Sequence, residues 1–308
     1  MKHKQEQWGI KMEHAIETEG LTKYYGDFLA LEKLDLTVQK GEILGFLGPN
    51  GAGKTTTIRC LLGLIGATSG TSRIFGLDAK KDKVAAHRHV AYVPGEANLW
   101  PNLTGAETLE LLANIQGGVD EDYRTSLIDR FKFDPNKKVR AYSKGNRQKI
   151  NLIAAFASRA DLLILDEPTS GLDPLMGEVF RECVLEAKRN GQTVFLSSHI
   201  LGEVEALCDR VAVLRAGKLV ELGTLDEMRH LSSVTIDATF KGQPPKVSHI
   251  KGVSKVVTSK GRLTCQVQGS IDALLAEVAK AHPISFLSRE PSLEELFLSL
   301  YGEVEEKA

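Results

Sequence analysis

The sequence predicts an α/β protein: a mostly parallel sheet interrupted by a helical insertion, followed by a small α+β domain. Short, almost wholly apolar runs at residues 43–47, 162–165, 193–196 and 211–214 have the character of strands buried on both faces. Between the first two of them, residues 98–160 read mainly as helix. Past Gly223 the pattern changes to alternation at Val234, Ile236, Ala238 and Phe240, which marks a different kind of sheet.

The elements follow in order. Residues 1–13 are polar and without period and are expected to be a flexible leader. Short strands are expected at 15–18, 28–31, 34–38 and 43–47, punctuated by Gly26 and Gly41, and the last ends in a glycine-rich turn that leads into a helix over 55–64. A strand follows at 90–93, and helices at 108–115, 123–131 and 144–157. The strands at 162–165, 193–196 and 211–214 are separated by helices over 176–189 and 200–208. In the last part, strands around 234–240 and 263–267 are followed by a helix over 271–281. Ser292 with Glu295 three residues on opens a terminal helix whose stripe is Leu293, Leu296, Phe297, Leu300 and Tyr301.

Composition narrows the function. With 39 Lys and Arg against 40 Asp and Glu in 308 residues the formal charge is -1, so the basic footprint of a nucleic-acid-binding protein is absent. Hydrophobic residues make up 42% and charged ones 26%, as in ordinary globular proteins. Cys60, Cys183, Cys208 and Cys265 form no ligand spacing and read as buried thiols of a reducing compartment. No apolar run reaches 18 residues, so the chain is not expected to cross a membrane by itself.

Gly48-Pro49-Asn50-Gly51-Ala52-Gly53-Lys54-Thr55 is a G-x-x-x-x-G-K-T between a buried strand and a helix, the context a phosphate loop needs. The glycines let successive backbone N–H groups face a phosphate chain, and the helix presents its positive end. Lys54 reaches the β- and γ-phosphates, the Thr55 hydroxyl ligates Mg²⁺, and Thr56 is counted with the loop. Downstream, the strand at 162–165 ends in Asp166-Glu167. Neighbouring strand residues point oppositely, which gives Asp166 to the metal and Glu167 to an attacking water. His199 lies just past the next strand, where open α/β sheets hold ligands, and is expected to contact the γ-phosphate.

Together with Tyr24-Tyr25-Gly26 and Tyr142-Ser143-Lys144-Gly145-Asn146-Arg147-Gln148, this ordered set resembles the ATP-binding cassette (ABC) ATPase family over roughly residues 15–225. The resemblance implies a P-loop ABC ATPase core with an antiparallel β subdomain and a helical subdomain. The domains would be 14–224 for the ATPase, with the helical part about 96–160, and 225–308 for an accessory domain. It implies ATP and Mg²⁺ as ligands and Tyr25 as the ring stacked on adenine, Tyr24 being the alternative. Ser143 and Gly145 would grip the γ-phosphate held by an opposite subunit. A head-to-tail dimer follows, expected to be a homodimer, with pairing to a related chain the alternative.

Two departures stand out. The signature reads Ser-Lys-Gly-Asn where the family commonly has Ser-Gly-Gly-Gln, and Pro94-Gly95-Glu96 lacks the glutamine usual after the proline. Glu96 is the nearest replacement for that coupling residue; a solvated loop carboxylate is the other reading. The tail from Glu290 to Gly302 is similar to that of the ABC-2 type drug and antibiotic exporters. The expectation is a peripheral ATPase at the cytoplasmic face of the cell membrane, with Glu167 and His199 catalytic. It would drive a separate membrane permease that exports a drug or another hydrophobic cargo. An importer ATPase, a non-transport ATPase of the same superfamily and a weakly hydrolysing regulator are the rivals.

Overall fold

The computed structural model describes residues 14–230 and 233–289, and the terminal helix expected from Ser292 lies outside them. The described residues fall into two compact units, divided between Leu222 and Gly223.

In the first unit the order is β1 (His14–Tyr25), β2 (Phe28–Gln39), β3 (Ile43–Leu47), α1 (Lys54–Leu61), β4 (Ser69–Ile74), β5 (Leu77–Asp78), α2 (Lys83–His87) and β6 (Val90–Val93). Then come α3 (Gly105–Gln116), α4 (Glu121–Arg130), α5 (Lys144–Ala157), β7 (Leu162–Asp166), α6 (Pro174–Arg189), β8 (Thr193–Ser198), α7 (Leu201–Leu207), β9 (Arg210–Arg215) and β10 (Lys218–Thr224). Six strands form one sheet in the order β10-β9-β3-β8-β7-β6. The β9-β3, β3-β8, β8-β7 and β7-β6 pairs are parallel. A second, four-stranded sheet runs β2-β1-β4-β5.

Every residue of β3, β7 and β8 is buried, as the apolar runs require. Strand alternation then sorts their side chains into two layers. Ile43, Leu163, Leu165, Val194 and Leu196 join the core made with the helical segment and α6. Leu44, Phe46, Leu162, Ile164 and Phe195 join the core made with β1, β2 and α1. A fully buried Leu or Phe in such layers contributes about 1.5–3 kcal/mol of transfer free energy. By the same parity Asp166 falls on the α1 side of the sheet, with Leu162 and Ile164.

Several elements depart from expectation. The three short strands expected before residue 40 are two twelve-residue strands. Their register shifts between Thr18 and Leu21 and again near Lys23, at Gly20 (φ 56°) and opposite Lys33 (φ 45°), and such bulges break the alternation from which a continuous strand is read. β4, β5 and α2 were not anticipated. β4 is the polar Ser-Gly-Thr-Ser-Arg-Ile, recruited by antiparallel pairing to β1 rather than by apolar content.

In the second unit are α8 (Leu225–His230), β11 (Val234–Thr239), β12 (Val253–Ser259), β13 (Arg262–Val267), α9 (Asp272–Lys280) and β14 (Ser285–Arg289). Its sheet runs β12-β13-β11-β14 with antiparallel pairs and shares a core of Ile236, Ala238, Leu263 and Cys265 with Leu274 and Val278 of α9. All four cysteines are free; Cys60, Cys183 and Cys265 are buried and Cys208 half-buried.

Candidate nucleotide-binding site

The loop after β3 turns tightly, and at two of its glycines there is no room for a side chain. A Cβ at Gly48 would lie 2.5 Å from the Leu214 carbonyl oxygen. Gly53 has φ 109°, and a Cβ there would lie 2.8 Å from the Ala30 carbonyl oxygen. α1 starts directly after Gly53 with no side-chain cap and no acidic residue in its first turn, so its leading N–H groups remain available to an anion. Gly48 and Ala52 are buried, while Pro49, Asn50, Gly51, Gly53, Lys54, Thr55 and Thr56 line a cleft of about 250 Å³.

Two chains of contact meet in this cleft. Thr55 Oγ1 donates to Asp166 Oδ2 at 3.0 Å, and Ser197 Oγ donates to the other oxygen of Asp166. Lys54, only 5% exposed, donates from Nζ to the carbonyls of Gly48 (2.7 Å) and Pro49 (3.3 Å) and stands 3.6 Å from Glu167 Oε1. The second Glu167 oxygen is 3.4 Å from His199 Nδ1. Nearby, burial and then the Asp166 charge push the Tyr92 phenol up to about 12.

The two carboxylates are placed by different means. Asp166 ends β7 and takes its side from strand parity. Alternation would send Glu167 to the opposite face, but its backbone is left-handed (φ 46°). Its N–H still donates to the Ser197 carbonyl at 3.0 Å, as the parallel ladder requires, and to Ser197 Oγ at 3.2 Å, so the turn begins at Glu167 itself. This reversal, rather than the pleat, brings Glu167 to the Lys54 side of the cleft. A left-handed glutamate costs energy that the surrounding hydrogen bonds must offset.

Tyr25 also lines the cleft, at the end of the hairpin with Phe28, its register partner across the Gly26-Asp27 turn. Both rings are exposed, Tyr25 at 45% and Phe28 at 65%, and Tyr24 is not a lining residue. Phe28 and Ala30 were missed in the sequence; the two-residue turn between Tyr25 and Phe28 was the available sign. Ser197 was also missed, although its register opposite Asp166 follows from parallel pairing of β7 and β8.

Ser143 and Gly145 do not line this cleft. Ser143 is the exposed N-cap of α5, accepting the Asn146 N–H at 3.3 Å. Gly145 lies against the turn after Glu167: a Cβ there would stand 2.2 Å from the Gly171 carbonyl oxygen. Lys144 Nζ donates to Ser170 Oγ at 2.9 Å in the same contact. Gln148, 2% exposed, donates from Nε2 to the carbonyls of Pro94 (3.3 Å) and Pro168 (3.2 Å). Glu96 is exposed, and among the described residues its side chain has no partner.

The donor set suits Mg²⁺. A hydroxyl at Thr55 and a carboxylate at Asp166 are hard oxygen donors, and Mg²⁺ commonly takes one or two protein ligands and completes its shell with phosphate and water. Among the described residues no group of three or more His, Cys, Asp or Glu could hold a metal by itself.

The ABC transporter family model matches residues 31–170. The chain is 34% identical over 311 residues to the bacitracin transport ATP-binding protein BcrA of Bacillus licheniformis, with 94% of this chain and 98% of that protein covered. It belongs to the ABC transporter ATPase family. The daunorubicin/doxorubicin resistance ATP-binding protein DrrA of Streptomyces peucetius is 33% identical over 307 residues, covering 94% of this chain and 92% of that protein. Both relatives are named for the transport of, or resistance to, an antibiotic or drug. A solved ATP-binding subunit of an ABC transporter superposes with TM-score 0.66 at 33% identity, over 70% of this chain and 92% of that one. As an ABC ATPase the chain binds ATP and hydrolyses it in a reaction coupled to transport, and members of the family dimerise and work with membrane permeases. Among its described residues no helix is long and apolar enough to cross a membrane.

Proposed function

We propose that this ABC ATPase powers efflux of an antibiotic or drug-like cargo through a separate permease, as a homodimer at the cytoplasmic face of the membrane. Residues 14–224 would form the ATPase domain and 225–308 an accessory domain. The observation that carries the site assignment is the convergence of Thr55–Asp166 and Lys54–Glu167–His199 at the uncapped start of α1.

In this reading the loop from Gly48 to Thr56 holds the triphosphate with backbone N–H groups and Lys54, and Tyr25 and Phe28 flank the base. Thr55 and Asp166 hold Mg²⁺, which screens phosphate charge when bound. Glu167 accepts a proton from the water that attacks the γ-phosphorus. The bond from that phosphorus to the bridging oxygen breaks, and ADP and inorganic phosphate leave. His199 orients the γ-phosphate from the Glu167 side. Ser143 and Gly145, set apart from the cleft of their own chain, serve the partner's nucleotide, so two copies complete two sites.

Glu167→Gln tests the assignment, because the amide keeps the shape and loses the base. Turnover in a steady-state ATPase assay is expected to fall about 100-fold or more with ATP binding retained. Gel filtration with ATP and Mg²⁺ should then find a dimer. Near-normal turnover in this variant removes Glu167 from the reaction.

A further inference from the structure

Gln148 does not line the nucleotide cleft, yet it is buried to 2% exposure in the first turns of α5 and its amide nitrogen bonds two carbonyls. Both partners are carbonyl oxygens, so the nitrogen end of the amide must be the one that faces them. The two carbonyls belong to prolines at the exits of neighbouring parallel strands: Pro94 is the first residue past β6, and Pro168 the second past β7. Among the described residues no backbone N–H outside the regular elements donates to either oxygen. One side chain thus supplies the hydrogen bonds of two strand exits, and a buried carbonyl that lost its donor would carry the cost of desolvation.

What lies beside those carbonyls gives the contact its meaning. Pro168 follows Glu167, whose left-handed backbone sets the direction of its carboxylate. Pro94 precedes Gly95, whose Cα approaches the Asp166 carbonyl so closely that a Cβ would stand 3.3 Å from it. The same end of α5 presses Gly145 against Gly171 and joins Lys144 to Ser170. Ser170 N–H in turn donates to the Glu167 carbonyl at 3.1 Å. The turn that aims Glu167 is therefore held from one side by α5, and Gln148 also reaches the 94–96 loop through the Pro94 carbonyl.

We propose that Gln148 is a positioning residue of the ATPase reaction: its amide ties the β6 exit to the β7 exit and so fixes the direction of Glu167. It also carries motion of the 94–96 loop to that carboxylate, in a chain where Gly95 has no side chain to do so. The proposal rests on Glu167 being the base, and the test separates the two.

The full chain is compared with Gln148→Met, which keeps the length of the side chain and removes its donors, by steady-state ATPase kinetics, ATP binding and thermal melting. The expected result is a kcat lower by about tenfold or more with KM and Kd for ATP within about twofold, since misplacement of a catalytic group acts on the chemical step. In a Glu167→Gln background the same substitution should lower residual turnover by less than about twofold, because both changes act through one carboxylate. A folded Gln148→Met chain with unaltered kcat overturns the proposal, and so does a full multiplicative loss in the Glu167→Gln background. Gln148→Glu gives a second reading if the methionine variant does not fold. Its carboxyl donates one O–H when protonated and only repels the carbonyls when ionised, so its kcat relative to the unsubstituted chain should rise as pH is lowered from about 8 to about 6. A ratio independent of pH overturns the proposal, whereas normal turnover in Glu167→Gln alone overturns only the assignment of the base.

Discussion

The starts of α1 and α5 are built in opposite ways. α1 begins at Gly53 without a side-chain cap, and its N–H groups face the cleft. α5 begins at Ser143, whose hydroxyl already accepts the Asn146 N–H. For contrast, α3 carries a complete capping box between Thr104 and Glu107, with nothing left to offer a ligand. A helix start that binds an anion throughout the cycle gains by staying uncapped, since the anion itself supplies the missing acceptor. A start that meets phosphate only when two subunits close needs a cap of its own in the meantime, and the single, long 3.3 Å bond of an exposed serine is one that can be exchanged.

The largest effect that bears on this contrast is expected from Lys54→Ala. It removes the cation beside the uncapped start of α1, and ATP affinity measured by calorimetry should fall about tenfold to hundredfold, the worth of a charge-assisted contact. Unchanged affinity would mean that the α1 amides suffice. Next comes Ser143, where two substitutions part the capping role from the phosphate role. Ser143→Ala should lower stability by about 1 kcal/mol in denaturant melts, and Ser143→Gly by only about 0.3 kcal/mol. Both should nonetheless lose the ATP-dependent dimer when introduced with Glu167→Gln, as read by gel filtration. A dimer retained by Ser143→Gly would reduce Ser143 to a cap. Smallest is Glu96→Ala: ATP affinity should stay within about twofold while permease-stimulated hydrolysis and transport fall. Normal stimulation would leave Glu96 a solvated carboxylate.

Much of the architecture was legible because the residues that set it are local. Leu162 to Leu165 are apolar without interruption because both faces of β7 are covered, and Gly48 and Gly53 of the phosphate-loop turn are dictated by backbone approach. Asp166 could be placed by parity alone. Glu167 could not be placed so, since its backbone turns left-handed where the strand ends and nothing in the local sequence announces that turn. β4 escaped for a similar reason: its polar sequence becomes a strand only through the register that β1 offers. Gln148 sits in a stretch that reads as ordinary helix, and nothing local announces that carbonyls 54 residues before it and 20 after it converge on its amide.

The cysteines described with the fold carry a practical consequence. Burial pushes the Cys183 thiol up to about 12, and the Cys60, Cys208 and Cys265 thiols are raised by the same cause. Alkylation and disulfide exchange proceed through the thiolate, so all four native sulfurs should be slow toward maleimides at neutral pH. A cysteine engineered at an exposed position such as Ser143 then becomes a selective attachment point for spin labels or cross-linkers without first stripping the chain of its own.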